Sequence, residues 1–319
     1  MHRRDFLKTT SAAAFMSSAY VPNASVPRSK QDPIAKRRLG KTGVDLSIIA
    51  LGGVAVMNDA QDTANNLVAE AFDRGINYFD VAPSYGDAQD RLGPALEPYR
   101  SRSFLACKTQ ERTRDGSRKE LEGSLKALRT DHVDLYQFHA LTKMSELEQV
   151  LGPNGAMETF EASRKEGKIR FIGFSAHSVE TGLAAMDRYN FDTILFPINF
   201  VLFSQANFGP QVLEKAQQKG MGILALKAMA RSTWSEEEKK NHPHPKCWYH
   251  PAGFPDEAAL GLRWTLSHPI TAAVPPGDES YVRLAMDVAQ QYKPITKDEE
   301  HTLIAGATGA EPLFHLHNS

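Results

Sequence analysis

Two cysteines, Cys107 and Cys247, are all that the 319-residue chain contains. So few thiols exclude a disulfide framework and a four-cysteine metal site. No sign of charge is in excess: 37 Lys+Arg stand against 38 Asp+Glu, a net charge of −1. Without a basic surplus, a nucleic-acid partner is not expected. No uninterrupted run of about 18 apolar residues occurs, so no stable membrane span is expected. A Gly-x-Gly-x-x-Gly opening a helix after a first strand is also missing. Its absence counts against the doubly wound dinucleotide fold.

What is present begins with an unusual N-terminus. Arg3-Arg4-Asp5-Phe6-Leu7-Lys8 is followed by a small-residue, mildly apolar run from Thr9 to Val21. A positive start, a short apolar run and small residues near Ala19 and Ala24 make a secretory leader too short to span a membrane. The adjacent arginines resemble the twin-arginine (Tat) export signal. That resemblance implies contact with the twin-arginine machinery and a periplasmic or secreted protein, exported already folded. Residues 1–30 are therefore assigned to the signal and a linker. Removing residues 1–19 takes away Arg3, Arg4 and Lys8 but only one acid, Asp5, shifting the net charge from −1 to −3.

From residue 36 to 310, short apolar runs alternate with amphipathic segments. Ala35–Asp45, with Gly40 and Gly43, predicts a small hairpin. Strands are expected at Leu46–Leu51, Ile76–Phe79, Phe104–Lys108, Val133–Phe138, Ile169–Phe174, Thr193–Phe196, Gly222–Leu226 and Thr271–Val274. The intervening patterns are helical; Arg118–Leu128, for instance, places Leu121, Leu125 and Leu128 on one face. Eight units of about 34 residues predict an α/β fold, a single-domain (β/α)8 TIM barrel. Residues 311–319 read as a C-terminal tail.

Active sites of such barrels lie where the strands' C-terminal ends meet the loops. The polar residues expected there are Asp80 after the second strand, Tyr85 in the following loop, Lys108 on the third strand and His139 on the fourth. An Asp can neutralise a Lys at the end of an apolar strand. A Tyr beside that ammonium is expected to have a lowered pKa and to exchange a proton more readily. A buried ion pair beside an ordinary Tyr and His is the competing reading of the same residues.

Three separated motifs decide between them. Gly75-Ile76-Asn77-Tyr78-Phe79-Asp80-Val81-Ala82-Pro83-Ser84-Tyr85-Gly86 resembles the signature of the aldo-keto reductase family. Leu121–Leu128 with Val133–His139 resembles its second signature, and Ile169–Ser175 its fifth strand. The resemblance runs from about Arg38 to Ala289. It implies hydride transfer between a nicotinamide and a small carbonyl or alcohol substrate. Tyr85 would be the general acid/base, Lys108 and Asp80 its tuning pair, and His139 would orient the carbonyl. The cofactor chemistry belongs to the nicotinamide, and the barrel supplies position and proton.

The cofactor side departs from the family pattern. Ser175 is kept, but Ala176 and His177 stand where an Asn is usual. Leu195 falls where a Gln is expected, and Leu226 where an aromatic stacks on the nicotinamide. Ala and Leu carry no amide, so Asn199, His177 or backbone groups would have to compensate. Leu226-Lys227-Ala228-Met229 resembles a subgroup with Met-Lys-Pro-Leu there. Members of that subgroup often carry an iron–sulfur segment, which two cysteines cannot supply. Lys227, Gly277, Arg283 and Asp287 complete the implied cofactor set. Arg283 favours NADP, with NAD possible because Glu279 would repel a 2′-phosphate. The alternative is a barrel that has lost catalysis and binds a ligand or partner.

His242, His244, Cys247 and His250 crowd the Arg231–Pro255 segment. Their spacing fits no standard zinc site, and no metal is expected. Trp248 and Tyr249 are instead expected to wall a substrate pocket. Cys107 reads as a small core residue.

Overall fold

The computed structural model describes residues 32–316; the export signal expected over residues 1–30 lies outside them. The described chain opens with an antiparallel hairpin, Lys36–Arg38 against Asp45–Ser47, turned through Gly40–Thr42. Gly40 sits at a φ of +48°. A Cβ there would meet the Gly222 backbone nitrogen at 2.3 Å, so the turn packs directly beneath the barrel.

Eight parallel strands follow: β1 (Leu51–Gly52), β2 (Tyr78–Asp80), β3 (Phe104–Thr109), β4 (Val133–Leu141), β5 (Ile169–Ala176), β6 (Thr193–Pro197), β7 (Gly222–Leu226) and β8 (Ala272–Val274). Each pairs with its sequence neighbour, and β8 pairs with β7. Ile49 bridges Ala273, and the Ala50 amide donates to the Ala273 carbonyl at 2.9 Å, joining the last strand to the first. The arrangement is the (β/α)8 barrel that the alternation predicts. One strand differs. The expected Leu46–Leu51 run divides between the hairpin, which takes Asp45–Ser47, and β1, which keeps only Leu51–Gly52. Continuous apolarity cannot reveal that change of partner.

Helices α1 (Gln61–Asp73), α2 (Ala88–Leu96), α3 (Arg114–Ala127), α4 (Met144–Leu151), α5 (Ala156–Lys165), α6 (Val179–Arg188), α7 (Phe200–Ala206), α8 (Pro210–Gln218), α9 (Asp256–Leu266), α10 (Glu279–Gln290) and α11 (Lys297–Gly306) complete the fold. Their starts follow local chemistry. The Thr113 hydroxyl caps α3, and Thr296 with Glu299 forms a capping box on α11. No described helix is long and apolar enough to cross a membrane.

Strand alternation sorts the side chains into two cores. Outward residues such as Phe79, Cys107, Phe138, Phe174 and Ile194 pack under the helices. Inward residues, among them Tyr78, Ala106, Leu135, Leu195 and Leu224, fill the barrel with Leu39 and Leu46 of the hairpin. One step further along the same inward rows stand Asp80, Lys108, Gln137 and Leu226. The parity that builds the inner core thus delivers the polar groups to the barrel's C-terminal end.

Candidate active site

The inward rows end in a cavity of about 300 Å³. Asp80, Tyr85, Lys108 and His139 all line it. Lys108 is fully buried and pairs with Asp80, while its ammonium also donates to the Val81 carbonyl at 3.2 Å. Asp80 further accepts from the Tyr78 hydroxyl at 3.1 Å and from the Gln137 amide at 3.4 Å. Burial pulls the Lys108 pKa down, but Asp80 and Tyr85 more than restore it, and the ammonium persists above its usual range.

Tyr85 lies over this pair, its ring centre 4.9 Å from Lys108 Nζ. The expected lowering of its pKa does not hold in this structure. Burial raises it, Lys108 lowers it, Asp80 raises it again, and burial prevails. Tyr85 is therefore a protonated phenol at neutral pH, the form that can give a proton. His139 meets Tyr85 edge-on at 5.7 Å between ring centres, and Ser84 Oγ lies 3.3 Å from its Nδ1. Burial first, then Lys108, Arg112 and Lys227, push the His139 pKa down to about 3. The imidazole is neutral at neutral pH and serves as a hydrogen-bonding group. Arg112, which sequence reasoning missed, donates to the His139 carbonyl at 2.8 Å and pairs with Glu146 at 3.1 Å, fixing the end of β4.

The cofactor candidates separate. Ser175, Lys227 and Gly277 line the cavity with Leu195, Leu226 and Val274. The Ser175 hydroxyl accepts from the Ala140 amide at 2.7 Å. A Cβ on Gly277 would strike Val54 at 2.5 Å, so only glycine fits between the β1 and β8 loops. Asn199 lies outside the cavity lining. Its side-chain oxygen caps α7 at Leu202 (2.9 Å) and its amide donates to the Lys227 carbonyl at 3.1 Å. Asn before a helix is an N-cap signal, readable from sequence. Arg283 and Asp287 also stand outside that lining. Arg283 pairs with Glu279 and, at 3.1 Å, with Glu70; Asp287 pairs with Arg74.

The long segment after β7 contributes Lys246, Trp248 and Tyr249 to the cavity lining. Ala230–Ser232 pairs with His250–Pro251. The Trp234 ring packs against those of His242 and His250, with ring centres at 4.1 and 4.5 Å, and its indole nitrogen donates to the Cys247 carbonyl at 2.9 Å. His244 hydrogen-bonds Asp278 at 3.2 Å. All three imidazoles are thus engaged, and no three His, Cys, Asp or Glu side chains among the described residues gather around a possible metal. Burial raises the Cys107 and Cys247 thiols to about 11 and about 12. Lys246 reaches from this segment to Asp59 (2.8 Å) and the Ala55 carbonyl (2.7 Å) beyond β1. Trp248 and Tyr249 form part of the cavity wall. Phe314, in the segment read as a C-terminal tail, stacks on His177 with ring centres 5.0 Å apart. Nothing local in the sequence signals that tertiary contact.

The sequence model of the aldo/keto reductase family matches residues 49–298. The chain belongs to the aldo/keto reductase family. It is similar to the uncharacterized oxidoreductase YqkF of Bacillus subtilis (strain 168), 32% identical over 155 residues, 44% of this chain and 48% of that one. The match thus spans about half of that relative's length. It is similar to L-galactose dehydrogenase of Arabidopsis thaliana, 29% identical over 226 residues, 64% of this chain and 68% of that one. In fold it resembles the holo form of an aldo-keto reductase from Bacillus halodurans, with a TM-score of 0.68 at 20% identity, covering 89% of this chain and 100% of that one. This family member is an oxidoreductase, and its family uses nicotinamide cofactors.

The cavity suits the nicotinamide end of such a cofactor. Leu195, Leu226, Val274, Pro275 and Pro276 supply apolar lining, and Ser175 supplies a hydroxyl.

Proposed function

We propose that this aldo/keto reductase reduces a small carbonyl compound, or oxidises the corresponding alcohol, with Tyr85 as general acid/base. The observation that carries this reading is the convergence of Tyr85, Lys108, Asp80 and His139 on one cavity. A reduced nicotinamide supplies the hydride when bound. Tyr85 gives its phenolic proton to the carbonyl oxygen, where negative charge develops. Lys108 favours the phenolate left behind, and Asp80 keeps that ammonium in place. Neutral His139 orients the carbonyl by hydrogen bonding, and the apolar wall excludes water. Fluorescence titration with NADPH and NADH, followed by aldehyde reduction read at the nicotinamide absorbance, tests the proposal. Absence of nicotinamide binding would leave instead a barrel that binds a ligand or partner without catalysis.

We also propose NADP as the preferred cofactor, with Arg283 as the cation for its 2′-phosphate. Glu279 competes for that guanidinium from four residues away. Glu279→Gln is expected to tighten NADPH binding about threefold or more, with NADH unchanged, because a nearby like charge opposes the phosphate. Equal effects on both cofactors would remove Arg283 from the site.

The twin arginines support a third proposal: residues 1–30 send the folded protein to the periplasm or exterior. Changing Arg3 and Arg4 together to Lys should hold the protein in the cytoplasm. Fractionation showing it still exported would refute this route.

A further inference from the structure

Among the described residues, Lys227 has no partner that neutralises its charge. It directly follows β7, on a left-handed backbone (φ 62°) that residues other than glycine seldom adopt. The Asn199 amide holds its carbonyl there. The side chain is 7% exposed and lines the cavity, with Nζ 4.9 Å from the centre of the Trp248 ring and 5.4 Å from that of Phe314. Among the described residues it has neither an ion pair nor a side-chain hydrogen bond. The other lysines of the cavity do: Lys108 has Asp80 and Lys246 has Asp59. Asp80 is the one acidic side chain in the lining, and it already accepts from Lys108, Tyr78 and Gln137.

A buried, unpaired ammonium is costly, and burial followed by Lys108 draws the Lys227 pKa down to about 7. A ligand that brings the opposite charge removes that cost. Lys227 lies near enough to the reacting end to depress the pKa values of both His139 and His177. Although the family resemblance counts it with the cofactor set, Lys227 shares one cavity lining with Tyr85 and His139, and Arg283 does not, which puts it on the substrate side. A single ammonium between aromatic faces, with no arginine fork beside it, is a point charge that one compact carboxylate on the substrate can neutralise.

We propose that the substrate is a carboxylate-bearing carbonyl compound and that Lys227 is the residue that binds its carboxylate. This rests on the reading of Tyr85 as the acid that meets the carbonyl.

The test uses the full chain and two kinds of probe. Calorimetry compares benzoate with benzamide, and kinetics compares 4-carboxybenzaldehyde with its methyl ester. The wild-type protein should favour the charged member of each pair about tenfold or more, as a charge-assisted contact allows. Lys227→Met should bring both ratios close to one, and Lys227→Arg should keep part of the preference. A wild-type protein indifferent to the charge overturns the proposal without need of any variant. So does a preference that survives in Lys227→Met, or a Lys227→Met protein that loses affinity for NADPH alone. Lys227-dependent benzoate binding without reduction of either aldehyde would uphold the carboxylate site and remove the reductase reading.

Discussion

Tyr85→Phe is expected to lower kcat for carbonyl reduction by about 10²–10⁴-fold, the span of a well-placed general acid. The variant loses one oxygen from the cavity wall and keeps the ring above Lys108, so the packing of the site survives. Cofactor affinity should change little, because the phenol acts on the carbonyl oxygen. That split distinguishes proton transfer from binding: loss of kcat with unchanged Kd for the nicotinamide marks the acid. The pH profile adds a second reading. His139 is neutral throughout the ordinary working range because burial and three cations hold its pKa at about 3. Ionisation of that imidazole therefore should not shape the rate between pH 6 and pH 8. Wild-type-like turnover in Tyr85→Phe would end the assignment.

Asp80→Asn should cost about 3–5 kcal/mol of folding stability, measured by urea denaturation, and should also slow the reaction. The substitution is nearly isosteric, yet it strips the counter-charge from a fully buried ammonium. Tyr78 and Gln137 would then face a neutral amide in place of the carboxylate. The pH dependence of the native pair has a definite sign. Lys108 is raised above its unfolded pKa of 10.5, so its stabilising contribution is complete below that value and is lost only as pH climbs toward the folded pKa. Native stability should therefore be flat in this respect from pH 6 to pH 9. In Asp80→Asn, burial is no longer opposed by the carboxylate, and Lys108 titrates lower. If Asp80→Asn is as stable as the native chain, the pair contributes no stability.

The barrel was legible from the alternation of apolar runs with amphipathic segments, and its polar end from the residues that close those runs. Asp80, Lys108 and His139 share the inward parity of the strands, and the loop motif adds Tyr85. The first strand was less legible, since an apolar run shows that a segment is buried but not which neighbour it pairs with. The cofactor end was legible only in part. Asn199 sits at a position where a family pattern points to the cofactor, but its amide and carbonyl are both spent on the α7 start and on Lys227. Arg283 shows the same limit. A cation's availability depends on carboxylates such as Glu70, 213 positions away in sequence. Lys246 and Phe314 reach the site from a long loop and from the chain's end, where no periodicity marks them.

The hairpin beneath the barrel has a consequence for the order of folding. Arg37 donates to the Ile270 carbonyl and Thr271 to the Arg38 carbonyl, each contact spanning 233 positions. Loop-closure entropy grows only slowly with such separations, so the final state loses little by them. Folding speed, by contrast, declines as contacts become more distant along the chain. During synthesis β1 can pair with β2, but its edge toward β8 has no partner until Ala273 has emerged.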